Sequence, residues 1–149
     1  MNSNNIILLG ILFVLMTACN KVQETSAYTR IVFNSDSLRV ITSSVNKKLE
    51  TMSILYGNDK AYDSALDSTG THVPGEIFTF VTWQYHDNPF FYGSTINGEL
   101  LSIESIHVNE GSAIDYKIDE GNPLPVNGVM LHQEERVKYI LEHTPSLLP

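Results

Sequence analysis

The sequence predicts an α+β fold: one domain built on an antiparallel sheet, with two or three helices. Three stretches carry that expectation. Glu76 to His86 alternates cleanly, with Ile77, Thr79, Val81, Trp83 and Tyr85 on one side and Phe78, Phe80, Thr82, Gln84 and His86 on the other. Leu100 to Val108 alternates too, with Leu101, Ile103 and Ser105 opposed to Leu100, Ser102 and Glu104. Gln133 to His143 reads as a helix: Val137, Ile140 and Leu141 form a stripe, acids lead, His143 sits in the last turn and Pro145 follows.

The remaining elements follow in chain order. Tyr28 to Phe33 is a short β-leaning segment. In Ser35 to Glu50, Leu38, Ile41, Val45 and Leu49 recur at helical spacing, although Val and Thr favour strand; the spacing predicts a helix. Met52 to Tyr56 reads as a strand that ends at Gly57. Asn58 then caps a helix over Asp59 to Leu66, with Asp59 placed on the positive end of its dipole. Thr69 to Gly75 is a loop. Both faces of Glu76 to His86 are apolar at the start, which predicts a central strand covered on both sides. Asp87-Asn88-Pro89 turns the chain, and Asn97-Gly98 is a second turn signal. Ile114 to Ile118 is another strand, and Gly121 to Gly128 a loop.

The N-terminus carries the most specific signal. Ile6 to Met16 is an apolar run without a charged side chain. It falls short of the roughly 20 residues that span a bilayer, and its length suits the apolar region of a secretory signal. The segment ends in Met16-Thr17-Ala18-Cys19-Asn20, which resembles a bacterial lipobox. That resemblance implies cleavage after Ala18 and lipidation of Cys19, with the membrane as partner. The plainer alternatives are an ordinary signal with Cys19 as a chance thiol, or an N-terminal helix. Cys19 is the only cysteine, so no intramolecular disulfide can form. The expected organisation is therefore a signal peptide over 1–18, the lipidated cysteine and a tether over 19–27, and the domain over 28–149, in the bacterial cell envelope.

Composition removes several functions. The chain of 149 residues is 42% hydrophobic and 17% charged, as expected of a folded domain and not of a disordered one. Nine basic against seventeen acidic residues give a net charge of −8, which repels phosphate backbones and argues against nucleic acid as a partner. No P-loop, dinucleotide fingerprint or nucleophile elbow occurs. No metal is expected, because no two histidines have zinc-type spacing and the calcium-loop spacing is missing.

Two groups of residues remain as site candidates. His86 ends the aromatic strand beside Phe90, Phe91 and Tyr92, which is ordinarily the place of a strand-end residue packed on aromatics. His132 opens the last helix with Glu135 three residues on, a weak metal pair. Trp83, Phe90, Phe91 and Tyr92 either belong to the core or rim a pocket or interface.

Several segments in order resemble the cytochrome P-460 family of exported bacterial proteins. They are Thr51-Met-Ser-Ile-Leu-Tyr-Gly-Asn-Asp59, Glu76-Ile-Phe-Thr-Phe-Val-Thr-Trp-Gln84, Asp87-Asn-Pro89, Tyr92-Gly93, Ile96-Asn-Gly98, Ser102-Ile-Glu104, and Arg136, Tyr139 and Ile140 in the closing helix. The resemblance implies a β-rich domain, a homodimer, and descent from proteins that hold a c-type heme through Cys-x-x-Cys-His. No cysteine follows Cys19, so covalent c-type attachment is excluded here. The reading that results is a lipid-anchored envelope protein whose P-460-like domain lacks covalent heme and binds a small ligand or partner. Its alternatives are a non-covalent heme protein, with His86 or His132 as the axial ligand, acting on small nitrogen compounds or peroxide, and a structural or adhesive lipoprotein.

Overall fold

The structure is a computed structural model, and it describes residues 33–67, 70–88 and 90–145. The signal, the lipobox, the tether and all of the β-leaning segment except Phe33 lie outside the described residues. Five strands run in chain order through a single antiparallel sheet: β1 (Arg39–Asn46), β2 (Thr51–Gly57), β3 (Ile77–Asp87), β4 (Thr95–Val108) and β5 (Ile114–Gly121). Helix α1 (Asp59–Leu66) joins β2 to β3, and helix α2 (Gln133–Leu141) follows the last strand.

The α+β expectation is overturned. The domain is mostly antiparallel sheet, and its two short helices are additions to it. The main cause is Ser35 to Glu50, which forms β1 and a hairpin loop where a helix was expected. The apparent helical stripe is not buried as one: Ile41 is in the core, but Val45 is 56% exposed. Val40, Ile41, Thr42 and Val45 are β-branched and stiff at χ1, and pairing with β2 decides the matter. Asn46 closes the hairpin by accepting from the backbone N–H of Lys48 and Leu49. Asn97-Gly98 also departs from expectation, since it lies inside β4 where the register with β3 shifts. A Cβ at Gly98 would collide with the His86 ring, so the glycine serves a close approach and not a turn. The chain actually reverses at Asn88–Ser94, where Asn88 N–H donates to the Ser94 carbonyl at 2.8 Å.

Elsewhere the elements fall where the pattern puts them. β3 is the central strand, and its two faces serve two cores. On the helix side, Leu55, Phe78, Phe80, Ile106 and Val108 meet Ala61 of α1 and Val137 and Ile140 of α2. On the opposite side, Tyr56, Val81 and Trp83 gather Ile54, Leu100 and Ile103, with Phe33 and Leu38 packed on them. Asn58 caps α1 through its side-chain oxygen, which accepts from Ala61 N–H at 3.0 Å. Among the described residues no helix is long and apolar enough to cross a membrane.

Candidate functional site

The helix face of the sheet changes character along its length. Below it is apolar; above it becomes a row of hydroxyls. Register places Ser44 opposite Ser53, Ser53 opposite Thr82, and Thr82 opposite Ser102, so four neighbouring strands contribute one small polar residue each. The hydroxyls of Ser53 and Thr82 are 2.9 Å apart and hydrogen-bonded. Small side chains leave room above them. The space is a cleft of about 550 Å³, walled by Arg136, Tyr139 and His143 near α2 and by the loop from Leu124 to Asn127.

Glu104 and Arg136 hold that wall in place. Glu104 projects from β4 and is fully buried, and Arg136 is 5% exposed. The Arg136 guanidinium donates from Nε to Glu104 Oε2 at 2.7 Å and from Nη2 to Oε1 at 2.7 Å, the bidentate fork that suits a carboxylate. Tyr116 of β5 donates its hydroxyl to Oε2 at 2.8 Å, and Ser102 reaches Oε1 at 3.3 Å. The third arm of Arg136, Nη1, donates to the Leu124 carbonyl at 3.3 Å. One carboxylate thus joins two strands to the helix, and the helix to the loop. Burial would lower the Arg136 pKa, but the Glu104 hydrogen bonds and charge outweigh it and keep the guanidinium protonated. Burial, then the bond to Glu104 and its charge, push the Tyr116 phenol far above its ordinary range.

Aromatic contacts complete the wall. The Arg136 guanidinium lies 5.2 Å from the Tyr139 ring centroid and 5.7 Å from that of Phe80. The His143 ring meets Tyr139 edge-on at 4.8 Å and Phe80 at 5.3 Å. His143 Nδ1 sits 2.8 Å from the Tyr139 carbonyl, which can only accept, so Nδ1 carries the proton and Nε2 is the acceptor in the neutral ring.

The lining is notable for what it contains in a chain of net charge −8. Lys47, Arg136 and His143 contribute to it, and among the described residues no Asp or Glu does. Glu104 lies behind Arg136 and neutralises it, which leaves Lys47 to give the rim its positive charge. Such a site offers hydroxyls, amides and a weakly positive edge to a ligand, with Phe80, Leu124 and Val126 as its apolar side. Its buried cation, Arg136, is already committed to hydrogen bonds with Glu104 and the Leu124 carbonyl.

A larger hollow of about 710 Å³ lies on the opposite sheet face, between the Phe33 to Leu38 segment and β5. Its charges are of both signs, and Lys117 already binds Asp119 at 2.6 Å. No group of three metal-ligating side chains occurs among the described residues.

The residues singled out from the sequence lie elsewhere. His86 sits on β3 with its ring over Gly98, and His132 is the exposed N-cap of α2, its backbone N–H bonded to Glu135. Neither lines this cleft or the hollow. Trp83 is buried in the second core, whereas Phe90, Phe91 and Tyr92 stand out at the tip of the β3–β4 hairpin; the four are not one cluster. Sequence reasoning missed the pair of Glu104 and Arg136. The available signal was a carboxylate on the same strand face as Ile106 and Val108, and an arginine one turn before the buried Ile140.

No protein-family model matches the chain, and no curated protein is significantly similar to it.

Proposed function

We propose that the chain is a lipid-anchored protein of the bacterial envelope whose domain holds a small organic ligand, neutral or anionic, in the cleft between α2 and the sheet. The carboxylate-free lining in an otherwise acidic protein supports this most. An acidic surface repels anions at long range, so a pocket without carboxylates is where such a molecule can settle. The cleft volume, about 550 Å³, suits a small molecule. The hydroxyl row can exchange donors and acceptors with a polar ligand, and the aromatic wall can cover its apolar side.

Calorimetric titration of the full chain tests this, using small mono- and dicarboxylates, simple sugars and hemin as probes. At least one carboxylate or sugar is expected to bind at one per chain, and Ser53→Leu, which fills the cleft floor, is expected to abolish it. One hemin per chain with a Soret band, lost in His86→Ala or His132→Ala, would replace this reading with that of a heme protein.

A further inference from the structure

The tip of the β3–β4 hairpin does not belong to the cleft. Phe90 is 85% exposed, Phe91 70%, and Tyr92 fully exposed. Three consecutive aromatic rings in water are costly, and a folded domain normally avoids them. They are also held in place. The Asn88 side chain accepts from Phe90 N–H at 2.9 Å, and Ser94 donates both its N–H and its hydroxyl to the Phe91 carbonyl. Gly93 adopts φ +81°, which lets the chain turn back directly after the third ring.

Charge is missing from the same stretch. Between Asp87 and Glu99 the sequence has no acidic or basic side chain, in a protein with seventeen acids and nine bases. We infer that the Phe90–Tyr92 tip inserts into the interfacial layer of a lipid bilayer. Aromatic side chains, tyrosine among them, favour that layer, and the absence of charge lets the hairpin enter it. A protein partner fits less well. Three rings supply about 450–750 Å² at most, below the roughly 800 Å² that a stable protein interface takes from each side. A bilayer needs no complementary surface.

The inference rests in part on the lipid-anchored reading, and the distances allow both contacts at once. Phe33 packs on Tyr56 at 5.1 Å between ring centroids, and Tyr56 pairs with Thr79 of β3. From Thr79 to Asp87 the strand advances about 27 Å at about 3.4 Å per residue. Phe33 lies fourteen residues after Cys19, a reach of at most about 50 Å. An acyl chain on Cys19 and the aromatic tip can therefore meet the same membrane.

The test uses the full chain carrying Phe91→Trp, extracted from membranes and reconstituted into phosphatidylcholine vesicles brominated near the headgroup end of the acyl chains. The wild-type protein supplies the baseline, since the buried Trp83 is its only tryptophan. The added emission is expected to shift blue and to lose most of its intensity to the bromines, while the Trp83 baseline stays unchanged. Emission that stays red and unquenched in the reconstituted protein would overturn the inference. Quenching of the introduced tryptophan is read on chain recovered from membranes, and so bilayer-associated whatever holds it there. The intact mass of the same sample reports acylation of Cys19 separately, so failure of the anchor and failure of the tip are distinguishable.

Discussion

Glu104 and Arg136 define the molecule's most consequential contact. Both side chains are buried, and each satisfies the other's charge in two hydrogen bonds. Removing one partner strands the other without water. Arg136→Met is therefore expected to cost about 3–5 kcal/mol, read as a lower midpoint in urea unfolding. Combining it with Glu104→Leu should cost clearly less than the two single changes summed, because the double variant buries no unpaired charge. Strict additivity would show that the pair is not coupled as its geometry requires. Asp119 is a milder case at the sheet edge. Burial raises its pKa, but the Lys117 and Ser105 hydrogen bonds and the Lys117 and His107 charges outweigh it and hold the carboxyl below its ordinary range. The folded pKa is thus lower than the unfolded one. The stabilisation is present above the unfolded carboxylate range and disappears as pH falls through the folded value. Asp119 is one-third exposed and Lys117 largely so, and solvent screening keeps the effect small. Lys117→Ala should raise the Asp119 carboxyl pKa in an NMR titration and barely move stability at neutral pH.

Helix α1 depends on a single asparagine. Asn58 accepts from Ala61 N–H through Oδ1, which Ile77 N–H also reaches at 3.3 Å, and donates from Nδ2 to the Gly75 carbonyl at 2.8 Å. The side chain therefore starts the helix and ties it to the head of β3. Asn58→Ala should cost about 1–2 kcal/mol for the cap and about 1 kcal/mol more for the bond to Gly75. Asn58→Asp keeps the acceptor and loses only the donor, so its unfolding midpoint should lie between those of wild type and Asn58→Ala. This cap was legible in the sequence, as were β2, β3, β5 and α2, because each repeats one local pattern over enough residues. β1 was not. Leu38, Ile41, Val45 and Leu49 match a helix in spacing, and only pairing with β2 makes the segment a strand. The cleft was not legible either. Of the hydroxyl row, Ser44, Ser53 and Thr82 line the cleft from three different strands, and only register aligns them. Asn97-Gly98 misled for a related reason: a glycine that admits the His86 ring looks, in sequence, the same as one that turns the chain.

Charge acts on the whole protein. With a net charge of −8, the folded state confines repulsion that unfolding relieves. Salt screens such repulsion over about 8–10 Å at physiological strength. Raising sodium chloride from low to physiological concentration should therefore raise the thermal midpoint. A fall would mean that ion pairs such as Arg39–Asp59 and Lys117–Asp119 contribute more than the repulsion does. The two sheet edges differ as well. β5 carries Asp115, Lys117, Asp119 and Glu120, which discourage another strand from adding to it. β1 has no charge from Val40 to Asn46 and relies on its bulge near Ile41.

The strand order is the order of synthesis, and that sets a sequence of events for a chain emerging from the ribosome. Each strand finds its partner in the one just delivered, so the sheet can grow without waiting for distant segments. The exception is the carboxylate in β4. Its counter-ion arrives thirty-two residues later, at the start of the closing helix. Until then Glu104 has only Ser102 and, once β5 is laid down, Tyr116 to answer it. A chain halted short of Arg136 would carry all five described strands and leave the Glu104 carboxylate without its counter-ion. The ion pair thus couples burial of the sheet's centre to arrival of the last helix.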